Sequence, residues 1–71
     1  MTNLYAVFTD FGSYDEYLDT VHVDYQAALL SAQQLAEHSL GIVSIVQFTS
    51  GSRPWSGREV LELPVTFDTE E

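Results

Sequence analysis

One segment of this chain has the composition of an α-helix, and segments typical of β-strands lie on both sides of it. Residues 25–38, YQAALLSAQQLAEH, are rich in Ala, Leu and Gln and contain neither Gly nor Pro, and Asp24 precedes them as a suitable N-cap. The sequence therefore predicts one helix over residues 24–38. Its apolar residues recur at helical spacing and should lie on a sheet, namely Ala28, Ala32, Leu35 and Ala36. Its solvent side should carry Gln26, Gln33 and Glu37.

Two β-type segments precede the helix. Residues 4–11, LYAVFTDF, are aromatic and β-branched, and residues 14–23, YDEYLDTVHV, alternate in polarity. The alternation places Tyr17, Asp19 and Val21 on one face of the second strand. Gly12-Ser13 between the two segments is typical of a two-residue turn, which predicts an antiparallel hairpin.

Two further β-type segments follow the helix. Residues 42–48, IVSIVQF, form the most apolar run of the chain and predict a central strand. The Gly-, Ser- and Pro-rich residues 49–57 predict a loop. Residues 58–65, REVLELPV, predict a fourth strand, and Pro64 places that strand at an edge because proline cannot donate to a ladder.

This order, β-β-α-β-β, indicates the α+β class, with a small antiparallel or mixed sheet of three to four strands packed on one helix. The 71 residues form a single domain over 1–71, with residues 66–71 expected to be a frayed acidic tail. One helix covers one sheet face, so we expect the other face to be open. A domain this small gains stability from self-association, and a homodimer through that face is among the expected assemblies.

The charge balance is strongly acidic. The chain has 11 acidic residues, two arginines and no lysine, for a net charge of −9, yet 45% of it is hydrophobic, which argues against disorder. With only two cationic side chains against 11 acids, neither nucleic acid nor an anionic membrane is an expected direct partner. The absence of cysteine excludes a disulfide and a thiolate metal site. With neither a signal peptide nor an apolar run long enough for a span, we expect a cytoplasmic protein.

The acidic residues of the predicted hairpin are the main candidate binding site. They alternate with tyrosines, and the set consists of Asp10, Asp15, Glu16, Asp19 and Asp24, with Tyr14 and Tyr17 as secondary contacts. One interpretation is an anionic strip that imitates a phosphate backbone, with the tyrosines adding rigid contact area. The other is a solvated strand whose charges prevent edge-to-edge aggregation. Glu59 and Glu62 near the acidic tail are further secondary contacts.

No catalytic, metal or cofactor site is predicted. Paired carboxylates act as acid and base in glycoside hydrolysis, but they need a deep pocket, for which a domain of this size has little room. His22 and His38 lack ligand spacing for zinc. The loop that holds Arg53, Trp55 and Arg58 has two open interpretations: a binding hot spot, or a tryptophan that covers one end of the core.

The chain resembles small bacteriophage proteins that block host defence. Its length, its lack of Cys and Lys, its many carboxylates and its β-β-α-β order are similar to those of acidic anti-CRISPR proteins and other DNA mimics. The resemblance lies in composition and architecture rather than in motif residues. It implies a protein of the host cell cytoplasm that occupies the cationic DNA channel of a nuclease or surveillance complex.

Two functions from different classes follow. The first is a non-enzymatic inhibitor that docks its acidic surface onto a basic nucleic-acid-binding surface of a protein, such as a CRISPR effector complex. The second is a structural or adaptor module that oligomerises or binds a partner through an apolar sheet face, with charge serving only solubility. The distribution of the acids over the surface distinguishes the two.

Overall fold

The computed structural model of the chain describes residues 2–38 and 41–63, which form an antiparallel sheet of four strands with a helix packed on it. The elements in chain order are β1 (Asn3–Thr9), β2 (Tyr17–His22), α1 (Tyr25–His38), β3 (Val43–Thr49), a 3₁₀ turn (Pro54–Ser56) and β4 (Arg58–Leu63). The strands lie in the order β2-β1-β3-β4, and each neighbouring pair is antiparallel. The predicted α+β class and the order β-β-α-β-β are confirmed.

The helix forms where its composition predicts it. The Asp24 carboxylate accepts a hydrogen bond from the backbone N–H of Ala27 at 3.2 Å, as an N-cap does. Ala28 and Ala32 are fully buried against the sheet, while Gln26, Gln33 and Glu37 are exposed. The small alanines let the helix axis approach the sheet closely, so the predicted faces of the helix are correct.

Strand β3 is an interior strand, as its uniform apolarity predicts. It pairs with β1 on one side and with β4 on the other. Val43 and Ile45 are buried in the cluster under the helix, and Val46 and Phe48 are buried on the opposite sheet face. A strand covered on both faces needs apolar residues on both of its sides, which explains why the apolar residues of this run do not alternate strictly with polar ones.

The connection between β1 and β2 is longer than the predicted two-residue turn. β1 ends at Thr9 and β2 begins at Tyr17. Asp10 and Gly12 adopt left-handed conformations, with φ of 55° and 84°. The backbone N–H of Ser13 donates to the carbonyl of Asp10 at 3.1 Å. The Asp10 N–H still bonds to Ile42, which precedes β3, but the pairing with β2 ends at Thr9, so Tyr14, Asp15 and Glu16 lie in a loop rather than in a strand.

A β-bulge interrupts the pairing of β1 with β2. Val7 lies opposite Thr20, but the next residue, Phe8, lies opposite Leu18, so Asp19 is at the bulge. Exposure still alternates along β2 as the sequence predicts. However, Tyr17 lies opposite Thr9 and Val21 opposite Ala6. Because opposed residues share a face, the bulge separates Tyr17 and Val21, and the prediction that they share one face is wrong.

The prediction that the sheet face away from the helix is open is wrong, because that face is covered. Ala6, Phe8 and Val46 on that face are fully buried, and Phe48 is 8% exposed. Partly buried hydrophobic side chains pack against this second cluster, namely Leu4, Phe11 and Leu18. The edge of the Trp55 ring also meets the Phe8 ring, with centroids 6.0 Å apart. The loops that follow β1 and β3 return over the sheet and bury apolar surface that a single helix leaves uncovered.

Strand β4 lies at a sheet edge, as Pro64 predicts, and its described part ends at Leu63. Pro64 itself and the expected frayed tail at residues 66–71 lie outside the described residues. Within the described ranges, the helix is neither long nor apolar enough to cross a membrane.

Candidate functional site

The candidate site consists of four exposed side chains, two in the loop before β2 and two in the first half of β2. We call it the β2 surface, and its residues are Tyr14, Asp15, Tyr17 and Asp19. Tyr14 is fully exposed, and Tyr17 is 63% exposed. The carboxylates of Asp15 and Asp19 make no hydrogen bond or ion pair within residues 2–38 and 41–63. Free carboxylates beside exposed phenol rings are suited to contact a cationic protein surface.

Asp10, in contrast, has a structural role. Its backbone N–H donates to the carbonyl of Ile42 at 2.7 Å, and its Oδ1 accepts from the Ile42 N–H at 3.2 Å. This pair joins the end of β1 to the beginning of β3. A Cβ atom at Gly41 would lie 2.8 Å from Asp10 Oδ1, so the close approach requires glycine there. Asp10 adds negative charge at this end of β2, but its carboxylate is already hydrogen-bonded to Ile42.

Glu16 holds the loop that presents the β2 surface. Its Oε1 accepts a hydrogen bond from the Gly12 N–H at 2.9 Å. The Ser13 hydroxyl donates to the Asp10 carbonyl at 2.7 Å and accepts from the Asp15 N–H at 3.2 Å. These bonds order the loop without involving the Tyr14 or Asp15 side chains. A preorganised loop loses less conformational entropy on binding than a flexible one.

Asp24 lies apart from the other predicted acids. It follows β2 and caps the helix, whereas Asp15 and Glu16 precede β2. A strand of this length spans about 20 Å. The five predicted carboxylates therefore do not form one patch: Asp10, Asp15 and Glu16 lie at one end of β2, Asp19 is at its bulge, and Asp24 is at the other end. This spread counts against an inhibitor function that uses all five acids, so only the smaller set of the β2 surface can support it.

The secondary acids Glu59 and Glu62 lie on the opposite edge strand. β1 and β3 separate β4 from β2, a distance of about 14 Å at the usual strand spacing. Glu59 accepts a hydrogen bond from the hydroxyl of Ser44 at 2.6 Å, and this bond satisfies a side chain that is only 2% exposed. The two glutamates therefore do not extend the β2 surface.

The loop with both arginines covers the core in part. Trp55 contacts Phe8 with one ring edge but is 52% exposed. Arg53 and Arg58 are exposed. Neither makes an ion pair with a carboxylate among the described residues. Trp55 thus covers part of the apolar cluster, as one of the two interpretations of this loop predicts.

The sequence analysis missed a polar connection between β2 and the helix. His22 Nε2 lies 3.0 Å from the Thr20 hydroxyl, and that hydroxyl lies 3.2 Å from the hydroxyl of Ser31. All three residues are partly buried. The network fastens the inner side of β2 to the helix, and no spacing rule connects residues 20 and 31 before the chain folds.

Comparisons with known proteins do not assign a function to this chain. No protein-family model, curated protein or solved structure matches it.

Within the described part of the chain there is no pocket, and no group of three metal-ligating side chains is close enough to hold an ion.

The structural role of Asp10 makes a testable prediction. Asp10→Ala should lower the free energy of unfolding by about 1–2 kcal/mol, because it removes the acceptor for Ile42 N–H and places alanine at a left-handed φ. Asp10→Asn keeps an acceptor and tolerates that φ, so it should cost less. Urea denaturation measures both. Asp15→Ala, in the same loop, should change stability by less than about 0.5 kcal/mol. Equal effects of Asp10→Ala and Asp15→Ala would contradict the assignment.

Proposed function

We propose that this chain is a non-enzymatic inhibitor that binds a protein or complex at its basic, nucleic-acid-binding surface, as DNA-mimicking anti-CRISPR proteins do. The observation that carries the proposal is the β2 surface, where the rings of Tyr14 and Tyr17 are exposed and the exposed carboxylates of Asp15 and Asp19 have no partner among residues 2–38 and 41–63. Carboxylates occupy the place of phosphates, and the tyrosines supply contact area at low cost in conformational entropy.

The net charge supports this proposal. A charge of −9 on 71 residues exceeds the magnitude of about 2–8 that solubility needs in a small domain. Mutual repulsion lowers the stability of a compact chain, so such a charge is costly unless it has a use. In binding, it attracts a basic partner over a distance and accelerates the encounter.

The burial of the second sheet face weakens the adaptor alternative. That alternative needs an apolar face formed by residues 4–11 and 42–48. The centre of that face is Ala6, Phe8 and Val46, and the chain itself buries all three. A partner that inserted there would first have to displace Phe11, Leu18 and Trp55.

The test begins with capture of the partner. The immobilised protein is exposed to a bacterial lysate that has been treated with nuclease, and bound proteins are eluted with salt or with duplex DNA. We expect nucleic-acid-binding proteins that DNA displaces. Calorimetric titration of the captured protein should then show an affinity that falls steeply as salt rises, because salt screens charges over a Debye length of about 8 Å at physiological strength.

Two variants matched in net charge sharpen this test. Asp15→Lys with Asp19→Lys should weaken binding at least about 30-fold, because each contact to a cationic group is worth about 1–3 kcal/mol. The control changes exposed helix residues by the same total charge: Glu37→Lys, Gln26→Lys and Gln33→Lys. It should retain most of the affinity. If binding is indifferent to salt and the double variant binds like the wild type, the proposal is wrong.

A further inference from the structure

The outer edge of β2 has no strand paired to it among the described residues. β2 is the first strand of the sheet in the order β2-β1-β3-β4 and hydrogen-bonds only to β1. Among residues 2–38 and 41–63, no backbone bond reaches its outer side. In an edge strand, every second residue directs its N–H and C=O away from the sheet, where another strand can bind them.

Side chains on both faces of β2 hold the strand in place. Leu18 packs against the buried cluster of Phe8 and Ala6, and Thr20 and His22 bond towards the helix through Ser31. β2 is therefore a fixed template whose outer edge is displayed in an extended conformation. A rigid template requires little ordering when a further strand is added.

The charges along this edge favour a basic occupant. Asp19 lies within β2, Asp15 precedes it, and Asp24 follows it, with neither lysine nor arginine in between. The other edge strand differs, since Arg58 lies in β4 beside Glu59. A second copy of this chain would add another charge of −9, which repulsion disfavours.

We infer that the outer edge of β2 accepts an extended, basic segment of the partner as an additional strand. This inference rests on the proposed function and names its binding mode. The main-chain hydrogen bonds provide affinity, while Asp15 and Asp19 select arginine or lysine on the incoming strand. The exposed ring of Tyr17 adds a face on which a guanidinium stacks.

The probe is a peptide of about seven residues that alternates threonine and arginine, a length that matches an ordinary strand. It should bind the full chain at low salt and slow the amide hydrogen exchange of Tyr17–His22, but not that of Arg58–Leu63. The same peptide with every backbone N–H methylated carries the same charge but cannot donate to a ladder. It should bind at least about tenfold more weakly, a difference of roughly 1.4 kcal/mol.

Asp19→Lys should weaken binding of the threonine–arginine peptide at least about tenfold. The matched control is Glu62→Lys, which makes the same charge change at an exposed position of the other edge strand, and it should bind the peptide nearly as the wild type does.

Three outcomes would overturn the inference. Equal binding of the two peptides would mean that charge alone attracts them, and the proposed function would stand without strand addition. Protection of Tyr17–His22 that grows with protein concentration in the absence of peptide would assign the edge to a second copy. Failure of the threonine–arginine peptide to bind at low salt would mean that the bulge at Asp19 closes the edge. In each case the capture and salt experiments judge the proposed function separately.

Discussion

Phe8→Ala should unfold most of the protein at room temperature. Phe8 is fully buried, and its ring contacts those of Phe11, at a centroid distance of 4.8 Å, and Trp55. Removing a buried phenylalanine costs about 3–5 kcal/mol because the cavity closes only in part. A domain of this length has a total stability of about 4–10 kcal/mol, and a small acidic domain should lie near the lower end, where the loss takes most of it.

Tryptophan fluorescence during urea denaturation measures this effect, since Trp55 is the only tryptophan of the chain and lies against Phe8. Phe8→Leu should be milder because it leaves a smaller cavity. Tyr14→Ala removes an aromatic side chain that is fully exposed, and it should change stability by less than about 0.5 kcal/mol. A Phe8→Ala protein as stable as Tyr14→Ala would show that the second apolar cluster contributes nothing to folding.

Leu35→Asp should also unfold the domain, through the opposite face of the sheet. Leu35 packs against the buried cluster of Val7, Ala32 and Ile45. The substitution removes apolar contacts worth about 2–5 kcal/mol and places a carboxylate where nothing pairs with it. Circular dichroism during thermal and urea denaturation checks the prediction.

Leu30 provides a matched control on the same helix. It is 57% exposed, so Leu30→Asp introduces the same charge with the same loss of helix propensity but without loss of core packing. It should cost no more than about 1 kcal/mol. Glu37→Lys, also on the exposed side, should be tolerated, because it reduces the repulsion among acidic residues. If Leu35→Asp and Leu30→Asp are equally harmful, the assignment of the helix faces is wrong.

The carboxylates that stabilise the fold differ from those to which the proposed function assigns binding. Asp10, Glu16, Asp24 and Glu59 accept hydrogen bonds from the chain itself. Asp15 and Asp19 accept none from residues 2–38 and 41–63. Charge reversal at Asp15 and Asp19 should therefore test binding without loss of the fold. Reversal at Asp10 or Glu16 would disturb the loop that presents the β2 surface, and a loss of binding there would not identify a contact.

Local patterns in the sequence were sufficient to predict the elements of this fold. The Gly- and Pro-free segment after Asp24 predicts the helix and its cap, because propensity and capping act within one or two turns. The continuous apolar run at residues 42–48 predicts the interior strand, because only a strand covered on both faces needs apolar residues throughout. Pro64 predicts that the last strand is at an edge. All of these features depend on neighbours in the chain.

The roles of the acidic residues were decided by tertiary contacts. In the sequence, Asp10, Asp15, Glu16, Asp19 and Asp24 are similar members of one acidic series. Asp10 became a structural residue because folding brings Ile42, a residue 32 positions away, within hydrogen-bond distance. The bulge at Asp19 likewise depends on the register of β1 against β2. Only Asp24 shows its structural role in the sequence, because a cap bonds to residues three positions along the same helix.

The sequence by itself determined the α+β class, the faces of the helix and the excess of negative charge, since each follows from local propensity, periodicity or composition. Only the tertiary structure decided that the second sheet face is buried and that the carboxylates of Asp15 and Asp19 make no hydrogen bond within residues 2–38 and 41–63. The physical reason is that loop closure and strand register join residues distant in sequence. Burial and hydrogen bonding at such positions depend on contacts that no local pattern specifies.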